Sequence, residues 1–96
     1  MDSTVDSVTG EQIQFTPAIY SEDDGVLFSA YDTSFGYHAF ALSYEAACEH
    51  LGARNQEREQ VLLAFQLNHP RIARAIRTKA LPADGRRVVL EAADFA

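Results

Sequence analysis

"VLFSAYDTSFGYHAFAL", residues 26 to 42, holds two runs of aromatic and branched residues on either side of "DTSFG". Such runs flanking a turn-forming stretch predict an antiparallel hairpin. Alternation then assigns its faces: in the second arm His38, Phe40 and Leu42 share one side and Tyr37, Ala39 and Ala41 the other. The Phe40 and Leu42 side is the core side. Upstream, "SEDDG" from Ser21 to Gly25 is turn chemistry. Before it, "IQFTP" alternates Ile13 and Phe15 in a short first strand that Pro17 ends or confines to an edge.

Downstream the period changes from two to helical. Ser43 is an N-cap for "YEAACEHL", with Glu45 in the first turn and Gly52 as the stop. Tyr44, Ala47, Cys48 and Leu51 form its apolar stripe. A second helix begins near Asn55. Val61, Phe65, Ile72 and Ile76 keep one helical sector across Pro70, which predicts two nearly collinear segments with a kink. The competing expectation is a full break, because Pro70 deletes a backbone hydrogen bond and pushes His69 away from helical angles. "PADG" then turns the chain into "RRVVLEA", a closing strand with Val88, Leu90 and Ala92 on one face.

Grouped strands followed by grouped helices predict an α+β fold: a small antiparallel sheet of first strand, hairpin and closing C-terminal strand, with two to three helices on one face. Residues 1–10 are polar, acidic and aperiodic and read as a flexible tail, leaving 11–96 as a single domain. Ninety-six residues suffice for one modest core, and 47% hydrophobic with 23% charged residues is ordinary globular composition. No apolar run approaches the ~18 residues of a membrane span, and "MDSTVDSVTGEQ" lacks the features of a signal peptide. A lone cysteine, Cys48, forbids an internal disulfide. Together these predict a cytoplasmic chain without a membrane partner.

Charge is uneven. Residues 1 to 53 carry nine carboxylates and no Lys or Arg, whereas residues 54 to 96 carry all eight cations against Glu57, Glu59, Asp84, Glu91 and Asp94. The formal charges of the two halves are −9 and +3, within a net charge of −6. Arg71, Arg74, Arg77 and Lys79 crowd into "NHPRIARAIRTK", with Arg86 and Arg87 following. These six are the candidate partner-binding residues. A basic face can hold phosphate, but nucleic-acid domains are commonly basic overall, with pI above about 9, and this chain's pI is about 4.8. The acidic field therefore disfavours nucleic acid, and protein carboxylates such as Glu45 and Glu49, in the same chain or a second copy, are the expected counterparts.

Reactive chemistry finds little support. Cys48 and His50 point about 200° apart on a helix and cannot share an ion. Cys48 reads as a small core hydrophobe, His38 has no nucleophile or orienting carboxylate at a fixed spacing, and His69, next to the kink, reads as a cap of the helix end. "EDDG" lacks the alternating ligands and closing glutamate of a calcium loop. "FGYHAFAL" departs from the aromatic motif of RNA-recognition sheets, with Phe35 in place of the basic residue and Phe40 one position out of phase. No catalytic residue, metal site or cofactor is expected.

The stretches "VLFSAYDTSFGYHAFALSYEAACEHLGA", "LLAFQLNHPRIARAI" and "DGRRVVLEAADF" together resemble the short bacterial proteins grouped as domain-of-unknown-function family 1488. The resemblance covers roughly residues 12 to 95 and rests on core and turn positions. It implies a small α+β domain with an antiparallel sheet, and it supplies no activity or catalytic residue; Pro70 departs from the regular helix expected in relatives. The expected function is a non-catalytic protein-interaction or accessory domain that self-associates as a homodimer. The alternative is a nucleic-acid-associated regulator using the Arg-rich face.

Overall fold

The computed structural model describes residues 13–96. The tail expected at residues 1–10 lies outside them. Among the described residues the elements are β1 (Gln14–Phe15), β2 (Ile19–Ser21), β3 (Gly25–Asp32), β4 (Gly36–Leu42), α1 (Tyr44–His50), α2 (Arg58–Leu67), α3 (His69–Thr78), β5 (Val88–Leu90) and a 3₁₀ turn (Ala92–Phe95). The fold is α+β, with a small mixed sheet and three α-helices.

The hairpin of β3 and β4 is the centre of the sheet. Its register places Val26 opposite Leu42, Phe28 opposite Phe40 and Ala30 opposite His38. Val26, Phe28, Ala30, Phe40 and Leu42 are all buried, so the expected core side is the observed one. Four glycines among the described residues have positive φ, and at Gly25 the reason is steric: a Cβ there would collide with the Leu42 carbonyl oxygen.

The outer edge of β3 holds two short strands. β1 pairs Phe15 with Ala30, and β2 pairs Ile19 with Leu27. Pro17, which has no N–H to donate, lies between them. Thr16 bridges the gap: its N–H and hydroxyl both donate to Ser29 O, at 2.9 and 3.2 Å, and its hydroxyl accepts from Ser29 N at 2.8 Å. β2 was not foreseen, because three residues between a proline and an acidic turn are too few for alternation to register.

On the other edge β5 pairs with β4 in parallel, Phe40 beside Val88 and Leu42 beside Leu90. This corrects the expected all-antiparallel sheet. Having crossed the sheet through the helical layer, the chain re-enters at the end from which β4 started, and alternation of Val88 and Leu90 reports a face but not a direction. The strand also ends at Leu90, and Ala92 belongs to the 3₁₀ turn, where Glu91 and Asp94 cap each other's backbone N–H groups.

The helices bury one side each. In α1 the Ser43 hydroxyl accepts from Ala46 N at 3.1 Å, and Ala46 and Ala47 are buried. At its end Gly52 has φ +87° and Ala53 N–H returns to Ala47 O at 3.0 Å. Two helical segments are present, as expected, but they are separate helices rather than one kinked element: the chain is interrupted at Asn68, whose φ of −123° lies outside the helical range. Pro70 dictates this: inside a continuing helix its ring would strike the carbonyl four residues back, whereas in the first turn of a new helix its missing N–H costs nothing. The Asn68 side-chain amide holds the junction, donating to Ala64 O at 2.9 Å and Leu51 O at 3.0 Å. Val61, Phe65, Ile72 and Ile76 nevertheless all face the core, as their shared sector implied.

Gly25→Ala should lower unfolding free energy by about 2–4 kcal/mol in urea titration, through strain plus collision. Gly52→Ala, at similar φ but with nothing within 4 Å of the added carbon, should cost only about 1–2 kcal/mol. Asn68→Ala removes the amide that donates to both carbonyls and should cost about 1–3 kcal/mol in the same titration.

Candidate functional site

The six candidate cations do not converge on one surface. Arg71, Arg74 and Arg77 are exposed along α3, on the side away from Ile72 and Ile76. Arg71 donates through Nη1 to His50 O, the carbonyl of the last residue of α1. That end of a helix carries unpaired carbonyls and partial negative charge, so a guanidinium there is held by hydrogen bond and field together. Arg77 lies 4.0 Å from Asp32, and Lys79 lies 2.8 Å from Asp94. Arg86 pairs with Asp84 at 2.9 Å on the surface, and Arg87 reaches back to Phe40 O at 2.8 Å. The carboxylates these pairs use are Asp32, Asp94 and Asp84, not Glu45 or Glu49. Among the described residues Arg74 has neither a hydrogen bond nor an ion pair. With Arg71, Thr78 and Phe95 it lines a cleft of about 290 Å³.

Asp32 is the one buried charged residue among those described. Its carboxylate accepts the hydroxyl and backbone N–H of Ser34, and these bonds, with the Arg77 charge, hold it below the usual carboxylate range against the opposing effect of burial. This is an aspartate turn closing the hairpin. Asp94 is similar: burial would raise it, but the Lys79 ammonium and the Glu91 N–H outweigh burial and keep it low.

An acidic cleft of about 550 Å³ opens on the far side of the 3₁₀ turn, lined by Asp23, Asp24, Glu45 and Glu91 around Ala41 and Val89. Tyr44 borders it and donates to Ser21 O at 2.6 Å and to Glu22 O at 3.0 Å. Burial, contact with Tyr20 and the nearby carboxylates push its hydroxyl up to about 12, so it remains a donor at neutral pH. No histidine or cysteine lines this cleft.

The histidines are dispersed. His69 stacks on Phe15 at 4.3 Å and meets Phe65 edge-on at 4.8 Å, with Nε2 buried and unpartnered. Burial holds it below the usual histidine range. His38 packs between Phe35 and Phe40 with Nδ1 buried and unpartnered, and His50 stacks loosely on Phe95. Cys48 is half-buried, its thiol 3.5 Å from Asn55 O. Among the described residues no group of three His, Cys, Asp or Glu side chains is placed to hold a metal ion. Phe40 is wholly buried and unable to stack on a base.

The sheet face opposite the helices is the feature that charge counting missed. Ile19, Leu27, Tyr31, Tyr37 and Val89 lie on it, and Ile19 and Tyr37 are each about two-thirds exposed. Tyr31 and Tyr37 sit opposite each other with ring centroids 5.9 Å apart. The signal was present in the alternation, which assigned Tyr37, Ala39 and Ala41 to the non-core side, but only the topology shows that no helix of the described residues packs on it; Tyr37 there is exposed, whereas Ala41 is buried. No helix among the described residues is long and apolar enough to cross a membrane. Comparison of the chain with family models, curated proteins and solved structures gives no match.

His69 makes acid sensitivity testable. Its folded pKa is lowered, so between the ordinary histidine range and that lower value the unfolded chain binds a proton that the folded chain does not. Stability should therefore be full above about pH 7 and fall as pH drops through the histidine range. Chemical denaturation of His69→Phe across this range should show a shallower loss than the parent chain; an unchanged slope would remove His69 from the cause.

Proposed function

We propose that this domain is a non-catalytic protein-interaction module that associates with a second copy of itself. The observation that carries the reading is the sheet face on which no helix of the described residues packs, where Ile19, Tyr31, Tyr37 and Val89 stand exposed on a sheet whose other side is packed with helices. Aromatic and branched side chains on a rigid sheet make good contact surface at low entropic cost. Charge adds to this, since an acidic cleft and a cleft that sets Arg71 and Arg74 beside Asp94 flank the same 3₁₀ turn. In a two-fold arrangement each copy offers both signs to the other.

The second reading is nucleic-acid association through the outer face of α3, favoured by Arg74, which is not engaged within the described chain. It is weaker, because Arg71, Arg77, Lys79, Arg86 and Arg87 already serve internal partners and the net charge is −6. The resemblance to domain-of-unknown-function family 1488 is likewise a proposal, resting on the hairpin, the Ser43-capped helix and the closing strand. A bacterial source and a cytoplasmic location belong to it.

Light scattering coupled to size exclusion, at low and high salt with the absorbance ratio recorded, separates the two readings. The expected result is a nucleic-acid-free dimer that dissociates on dilution. A monomer carrying nucleic acid that salt strips away would transfer the function to the α3 arginines.

A further inference from the structure

We propose that the outer edge of β5 is the seam of that homodimer, pairing antiparallel with β5 of a second copy about a two-fold axis at Val89. The proposal rests on the self-association reading above and specifies its geometry.

Among the described residues β5 ends the strand order and has β4 on one side only. Leu90 O accepts the Ser43 N–H from the β4 side, at 3.0 Å. Backbone groups alternate sides along a strand, so Val88 and Leu90 address β4 while the N–H and C=O of Val89 point outward. The edge is bordered by open space at both ends. A cleft of about 420 Å³ between Ala80, Leu81, Pro82 and Arg86 reaches Val88, and the acidic cleft reaches Val89 and Glu91.

The sequence around Val89 selects the register. An antiparallel pair centred on Val89 sets Val88 against Leu90, Val89 against Val89, and Arg87 against Glu91, twice over by symmetry, with the Arg87 guanidinium exchanging its present bond to Phe40 O for the carboxylate of the second copy. Parallel pairing would set Arg87 against Arg87 and Glu91 against Glu91, and centring the antiparallel pair on Val88 or Leu90 loses the opposition of charges. Opposite charges across a strand pair stabilise it and like charges oppose it. Arg87, Val89 and Glu91 alternate with the buried Val88 and Leu90, so they lie on the uncovered face. Joining the two edges therefore makes one continuous sheet and one continuous aromatic and apolar face. The pairing is short because Glu91 N–H is already taken by Asp94, which stops the ladder after the central pair. A short edge with flanking charges also resists open-ended growth, so the seam closes at two copies.

The test is site-specific crosslinking of the full chain. Hydrogen-bonded antiparallel partners stand about 5.5 Å apart at Cα, within disulfide reach. In a Cys48→Ser background, Val89→Cys should form a covalent dimer under mild oxidation, and Leu67→Cys, on the 71% exposed position in α2, should not. Val89→Pro removes only an outward N–H, which an edge strand tolerates, and should give a folded monomer by circular dichroism and light scattering. Arg87→Glu should weaken the dimer about tenfold at low salt and far less at high salt. A dimer that survives Val89→Pro, or that crosslinks equally at both cysteine positions, would overturn the seam and leave self-association standing. A parent chain that is monomeric at every concentration and salt would overturn both.

Discussion

The stacked pair of Phe28 and Phe40, with ring centroids 5.5 Å apart, is the contact on which the rest of the structure depends. It couples the two central strands and fixes their register, and because strand side chains alternate, a slip of one residue would send every core side chain of one strand to the opposite face. Phe65 of α2 packs on Phe28 at 4.8 Å, and Phe15 of β1 meets Phe28 at 5.7 Å and Phe65 at 5.8 Å. His69 closes the cluster by stacking on Phe15. One aromatic group thus joins the first strand, the hairpin and both long helices, which places a neutral imidazole where a charged one would be disfavoured.

The second constraint is the junction at Asn68. Pro70 forbids a continuous helix, yet the apolar phase on either side must face the same sheet. Asn68 reconciles the two demands by ending one helix and beginning the next while its side chain binds the carbonyls of Ala64 and Leu51. Leu51 is the residue that closes α1, and the neighbouring His50 carbonyl is taken by Arg71. The C-terminal end of α1 is therefore docked onto the start of α3 by one amide and one guanidinium. This explains a cationic stretch in an acidic chain more directly than a phosphate ligand does.

The sequence made the sheet faces, the Ser43 cap, the Gly52 stop and the inward sector of Val61, Phe65, Ile72 and Ile76 legible, because each is a local pattern of side-chain type. It left three things hidden. The direction of β5 depends on how often the chain crosses the sheet, which no property of Val88 to Leu90 encodes. β2 is too short for its alternation to stand above the flanking turn. The break at Asn68 precedes the proline that causes it, since the clash falls on the turn before. In the candidate site the arginines were legible as a cluster, but the partners of Arg77, Lys79 and Arg87 lie 15 to 47 residues away in sequence and emerge only with the fold.

These internal pairings also redirect the functional argument. A charge engaged by its own chain contributes less to an outside partner, because recruiting it means breaking what it already makes. What the fold leaves unspent is instead backbone and apolar surface: the outward N–H and C=O of Val89, and the side of the sheet that carries Tyr31 and Tyr37. Backbone groups on an edge strand seek another strand, and an exposed row of aromatic and branched side chains seeks a complementary face. Both sit on the same sheet, and a two-fold axis at Val89 engages the first while extending the second. In the proposed homodimer Arg87, which must first leave Phe40 O, and Glu91 would act less as sources of affinity than as guides to register, favouring the one alignment that sets unlike charges opposite each other.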